Sequence, residues 1–178
     1  IKYLSVSRSL IATTVLVFVI YLIPGLWGAP LKLISGFPPP MSYSESPSGL
    51  SNSSKIVEDI ENTHIGPQGL PVFHDLSAGL AYAKSINKPA FLDFTGHACI
   101  NCRKMEEKVW GEDGVINILR DSLVIISLYV DDKRPLPEGD EIDSKLRPGK
   151  KLKYIGQKWS ELQTIKYGAN AQPFYVLI

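Results

Sequence analysis

From Ser9 to Leu31 the chain runs for 23 residues without a charged side chain. A helix needs roughly 20 predominantly apolar residues to cross the hydrocarbon of a bilayer, so this run is long enough to be a transmembrane helix. Pro24, Gly25 and Gly28 stand where they could kink its exit end, and Tyr21 and Trp27 carry the amphipathic rings expected at a headgroup layer. Lys2 and Arg8 precede the run. A basic flank is retained on the cytoplasmic side, which places the residues C-terminal to the run outside the cytoplasm, in a compartment that tolerates disulfides. A cleaved signal peptide, with an apolar region of about 7 to 15 residues, and a buried core helix are the competing readings; length favours a retained span. Residues 1–35 are therefore read as a membrane helix with its flanks.

Residues 36–69 hold Phe37-Pro38-Pro39-Pro40 and Ser-rich stretches but few large apolar groups. Such a composition buries too little surface to order itself, and the stretch reads as a flexible linker. The soluble domain is expected over 70–178, within the usual size of one domain. Asp75 to Asn87 has Leu76, Leu80, Ala83 and Ile86 at helical spacing with Asp75 as cap; Ala90–Phe94 reads as a buried strand interrupted by one acid. Arg103–Trp110 and Val115–Arg120 read as helices, Leu123–Val130 as a second strand, Lys158–Tyr167 as a helix ended by Gly168, and Phe174–Ile178 as a last strand opened by Pro173. The charged stretch from Asp131 to about Gly156 reads as an exposed loop. With 19 basic and 18 acidic side chains, nothing points to a nucleic-acid binder. Ile1 stands where a start methionine would, and Tyr175 to Ile178 stop within an apolar run, so both ends are expected to be truncated.

The two cysteines, Cys99 and Cys102, lie three positions apart, a poor arrangement for stapling a fold and a good one for chemistry. A strand, a loop and then a helix opening on Cys-x-x-Cys is the context in which the motif exchanges disulfides. Cys99 at the helix N-terminus faces unpaired N–H groups that favour a thiolate, the attacking species. Cys102, one turn on, is suited to resolve the mixed disulfide. A metal site is the alternative: Cys99 and Cys102 with His97 could hold a soft ion for delivery. A structural zinc site usually needs four ligands, and only His64, His74 and His97 remain as further candidates, so no resident metal or other cofactor is expected beyond the redox-active cysteine pair. Phe94, Trp110 and Phe174 read as core.

Phe91-Leu92-Asp93-Phe94, the spacing from Asp93 to Cys99, the Cys-x-x-Cys helix and Gln172-Pro173 before a strand together resemble the thioredoxin fold. More narrowly, Asp93-Phe94-Thr95-Gly96-His97-Ala98-Cys99-Ile100-Asn101-Cys102-Arg103-Lys104-Met105-Glu106, following a membrane span, is similar to the C-terminal domain of the DsbD thiol:disulfide interchange family. The resemblance implies an α/β thioredoxin fold, lacking its final strand and helix after Ile178, preceded by one transmembrane helix and a disordered linker. It implies Cys99 as nucleophile, Cys102 as resolving thiol, and Asp93 and Glu106 as acids of the catalytic site. Pro173 would be the cis-proline facing the disulfide and, with Gln172, would bind the substrate chain. It implies a protein-disulfide reductase of the cytoplasmic (inner) membrane with its domain on the periplasmic side. Electrons would come from a membrane-embedded donor domain and go to oxidised extracytoplasmic thioredoxin-like proteins, disulfide isomerases and cytochrome c maturation factors. A thioredoxin-like oxidase or isomerase shares the fold and runs in the opposite direction.

Overall fold

The computed structural model describes residues 5–27, 31, 33–34, 62–137 and 142–178. The apolar run forms α1 (Val6–Leu22), which passes into a 3-10 turn at Ile23–Trp27. Pro24 lacks the N–H that a continuing α-helix needs, which accounts for the change. Val6–Leu26 covers 21 residues of mean hydropathy 2.2, none of it buried in the structure. At about 1.5 Å per residue it reaches about 30 Å, the thickness of a hydrocarbon core, so it is long and apolar enough to span a membrane. Inside it, the Thr13 and Thr14 hydroxyls donate to the carbonyls of Ser9 and Leu10, which spares them an unpaired polar group.

The folded part begins at β1 (Thr63–Ile65), earlier than expected. β1 pairs antiparallel with β2 (Pro71–Phe73), and the turn between them is closed by Gly66 N–H donating to Leu70 O at 2.8 Å. Residues 63–69 thus do not belong to a linker: an edge strand satisfies its backbone on β2 and needs little apolar content of its own. The rest of the expected linker, 36–61, lies outside the described residues. α2 (Leu76–Ser85) comes next, with Asp75 accepting from Ala78 N–H as its cap. Then come β3 (Ala90–Thr95), α3 (Ile100–Lys108), α4 (Asp113–Asp121) and β4 (Val124–Tyr129). A short hairpin of β5 (Ile142–Asp143) and β6 (Lys151–Leu152) leads to α5 (Ile155–Tyr167) and β7 (Phe174–Leu177).

The main sheet has the order β1-β2-β4-β3-β7, with β2, β4 and β3 parallel and the outer strands antiparallel. Helices cover both faces, so β3 and β4 are buried on both sides and their sequences are apolar almost throughout. Alternate side chains serve two cores. Ala90, Leu92 and Phe94 of β3 and Val124, Ile126 and Leu128 of β4 pack with Ala83 of α2 and Trp159 of α5. On the other face Ile125 and Val72 pack with Leu70, Trp110 and Leu119, with Phe91 and Tyr175 against them. Of the expected core aromatics Phe94 and Trp110 are fully buried and Phe174 is partly so. The centre of the sheet is parallel, Cys99 and Cys102 follow β3 at the start of α3, and an antiparallel strand follows a cis-proline, the α/β arrangement that the sequence resemblance implies.

The stretch 131–156 is more than an exposed loop. The Glu161 carboxylate on α5 is buried and accepts from Ser144 Oγ at 3.3 Å, from Lys145 N–H, and from Leu146 N–H at 2.8 Å, anchoring the hairpin, and Leu152 is buried. α5 also starts a turn earlier than its apolar spacing suggests, because Gln157 Oε1 accepts from Lys153 and Tyr154 N–H. Gly156 lets α5 approach the strand-end backbone: a Cβ there would lie 2.5 Å from Val130 O.

Candidate active site

β3 ends at Thr95, and the loop 96–99 delivers Cys99 to the N-cap of α3. The loop is held from β4's end. Asp131 accepts from His97 N–H at 2.8 Å and from Ala98 N–H at 3.0 Å, and Cys99 N–H donates to Gly96 O at 3.2 Å. Cys99 and Cys102 form a disulfide, and Cys102 N–H donates to Cys99 Sγ at 3.2 Å. That bond, with the other unpaired amides of the first helical turn, stabilises negative charge on Cys99 once the disulfide opens. Cys99 is half-buried and Cys102 is 1% exposed, so an incoming partner meets Cys99 first.

Toward the C-terminal ends of β3 and β4 the strand alternation that builds the second core changes from apolar to polar. Phe91, Asp93 and Thr95 share the face of β3 turned toward α3, as Ile125, Ser127 and Tyr129 do on β4. The register sets Asp93 beside Ser127 on one side and Tyr175 on the other. Ser127 Oγ donates to Asp93 Oδ2 at 3.2 Å. From α3, the Arg103 guanidinium meets Glu106 Oε1 at 2.8 Å and donates to Thr95 Oγ1 at 3.1 Å. Asp93, Arg103 and Glu106 are 1%, 6% and 5% exposed. Burial raises the Asp93 carboxyl from 3.8 to about 7, against the pull of Ser127 and Arg103. Burial likewise raises Glu106 from 4.5 to about 8, with Arg103 lowering it and Asp93 raising it further. Burial pushes Tyr129 to about 12 and Tyr175 higher still. One cation therefore serves two acids, and the pair holds a proton near neutral pH. Such a pair can accept or give a proton near neutral pH.

The Gln172–Pro173 peptide bond is cis. Phe174 pairs with Phe94, so Pro173 stands beside the end of β3 from which the cysteine loop departs. Gln172 Nε2 donates to Gln163 Oε1 at 2.9 Å, and Gln163, fully buried on α5, donates to Ala171 O at 2.9 Å. Cys99, Cys102, Asp93, Glu106, Gln172 and Pro173 thus gather at one end of the sheet. His97 lies in the same loop with its ring stacked on Tyr129 at 4.0 Å, and burial lowers its pKa despite Asp131 and Asp132. His74 stacks on His64 at 5.0 Å on the other flank of Tyr129. Among the described residues no group of three or more His, Cys, Asp or Glu is placed to hold a metal ion.

Arg103, Ser127, Asp131 and Gln163, which contact Glu106, Asp93, the cysteine loop and Gln172, do not stand out in the sequence. The signals available are the i, i+3 spacing of Arg103 and Glu106 and the polar residues at period two in Val124–Tyr129. No family model matches the chain, and no curated protein does. Among solved structures it is similar to a thioredoxin from Thermus thermophilus, at 21% identity and a TM-score of 0.40, over 61% of this chain and 63% of that one. The chain thus spans less than two thirds of that thioredoxin.

Proposed function

We propose that the chain is a membrane-anchored thiol-disulfide oxidoreductase that works as a protein-disulfide reductase of the DsbD type. The observation that carries this reading is the Cys99–Cys102 disulfide at the N-terminus of α3, in a domain that also buries the acids Asp93 and Glu106. In the reduced chain, the Cys99 thiolate attacks a partner disulfide and Cys102 resolves the mixed disulfide, so two electrons pass to the partner. Pro173 and Gln172 offer a place for the partner's extended backbone. The basic flank at Lys2 and Arg8 supports a domain on the periplasmic side of the cytoplasmic membrane. There the reduced motif needs electrons from a membrane-embedded donor. Oxidised thioredoxin-like proteins, disulfide isomerases and cytochrome c maturation factors are the acceptors that the sequence resemblance suggests.

The test uses the full chain in non-ionic detergent micelles, reduced with dithiothreitol, freed of reductant and mixed with a protein carrying an accessible disulfide. One partner disulfide is expected to be reduced per chain, with loss of this activity in Cys99→Ser and a trapped mixed disulfide in Cys102→Ser. Undiminished reduction by Cys99→Ser would overturn the reading.

A further inference from the structure

Arg103 directly follows Cys102, yet its guanidinium does not reach solvent. It is tied to α3 through Glu106 at 2.8 Å, to β3 through Thr95 at 3.1 Å and to the cysteine loop through Gly96 O at 3.4 Å. Its charge also acts on the Tyr129 phenol on β4, partly offsetting the rise that burial causes there. A buried guanidinium is costly unless its charge and its hydrogens are matched, and here Nε finds no acceptor among the described residues. The groups facing it are Asp93 from β3, Glu106 from α3, Tyr129 from β4, Tyr175 from β7 and His97 from the loop. Of these only the two carboxyls can supply a compensating charge near neutral pH, since both phenols and His97 stay neutral there.

A resolving thiol must lose its proton to a base before it attacks. Two buried carboxyls without a nearby cation would both be protonated and neither could act as that base. We propose that Arg103 is the positioning residue that keeps one carboxylate of the Asp93/Glu106 pair ionised, ready to take the Cys102 proton. The inference rests on the disulfide-exchange reading. The Cys99 thiolate bonds to one partner sulfur and expels the other as a thiolate, which takes a proton from water. Cys102 then gives its proton to the carboxylate, its sulfur bonds to that of Cys99, and the Cys99–partner bond breaks. The departing partner sulfur keeps the electron pair and takes the proton from the carboxylic acid just formed. Two electrons and two protons have then reached the partner.

The primary measurement is a carbon-13 NMR titration of the Asp93 and Glu106 carboxyls in the oxidised full chain in detergent micelles. Because it uses no partner, it is separable from the reductase assay, and its outcome does not depend on whether the chain reduces disulfides. Arg103→Met is expected to raise the first ionisation of the pair by about one to three pH units, while Arg103→Lys, which keeps the charge, leaves it within about half a unit. The pH midpoint for resolving the mixed disulfide is expected to move by the same amount. An unchanged titration in Arg103→Met, or an equal shift in Arg103→Lys, would overturn the proposal. Should Arg103→Met fail to fold, Glu106→Gln replaces it. Asp93 then has the guanidinium to itself and is expected to ionise at lower pH, and an unmoved Asp93 titration would overturn the proposal equally.

Discussion

Replacing Asp93 with asparagine should stabilise the folded domain at alkaline pH and flatten its pH dependence. Asp93 is 1% exposed, and burial raises its carboxyl from 3.8 to about 7. An acid raised in the folded state keeps its proton there while the unfolded chain loses it. Its contribution is thus fully present below about pH 4 and is lost as pH rises toward about 7. A shift of about three units at 1.36 kcal/mol each is worth about 4 kcal/mol. Sharing of charge with Glu106 and Arg103 lowers this, so a difference of about 2–4 kcal/mol is expected at about pH 8. Asparagine has nearly the same shape and still accepts from Ser127 Oγ, which sits 3.2 Å from Asp93. The assay is urea unfolding of the full chain in micelles at a series of pH values, disulfide intact, followed by the fluorescence of buried Trp110 and Trp159. Equal slopes in the two proteins from about pH 4 to 8, or an asparagine variant less stable at every pH, would refute the reasoning.

Two further outcomes concern the packing around the site. Gly156→Ala should destabilise the domain by about 1–3 kcal/mol despite alanine's higher helix propensity. The new Cβ would meet backbone atoms, Val130 O at 2.5 Å and Asp132 N at 2.6 Å, which cannot rotate away; a urea midpoint at or above that of the parent counts against the close approach. Asp131→Asn should loosen the loop before Cys99, because an amide offers one acceptor where the carboxylate now takes both His97 N–H and Ala98 N–H. Hydrogen exchange at those two amides is expected to rise by about tenfold, the equivalent of about 1.4 kcal/mol, and unchanged protection would show that Asp131 does not hold the loop.

The features legible in the sequence are those that depend on neighbours along the chain. The uncharged run forms α1, Asp75 caps a helix, and Cys-x-x-Cys after an apolar strand stands at a helix N-terminus, because length, capping and helix direction are local properties. The start of the domain is misplaced by composition because β1 is held by β2: Thr63 faces Phe73 only once the turn at Gly66 to Leu70 closes, and polar composition does not record that pairing. The charged stretch after Asp131 reads as solvated until Glu161, on a later helix, supplies the acceptor for its backbone. Resemblance alone points to Asp93 and Glu106 as site residues, yet what makes their chemistry unusual is decided by tertiary structure. Sheet register sets Asp93 between Ser127 and Tyr175, and the packing of α3 buries Arg103 with both acids. The sequence by itself thus determined a membrane-length helix and a cysteine pair at the start of a helix. Only the fold decided that Asp93, Arg103 and Glu106 are buried together, because the energy of a charge depends on the water removed from around it, and that is fixed by residues distant in sequence.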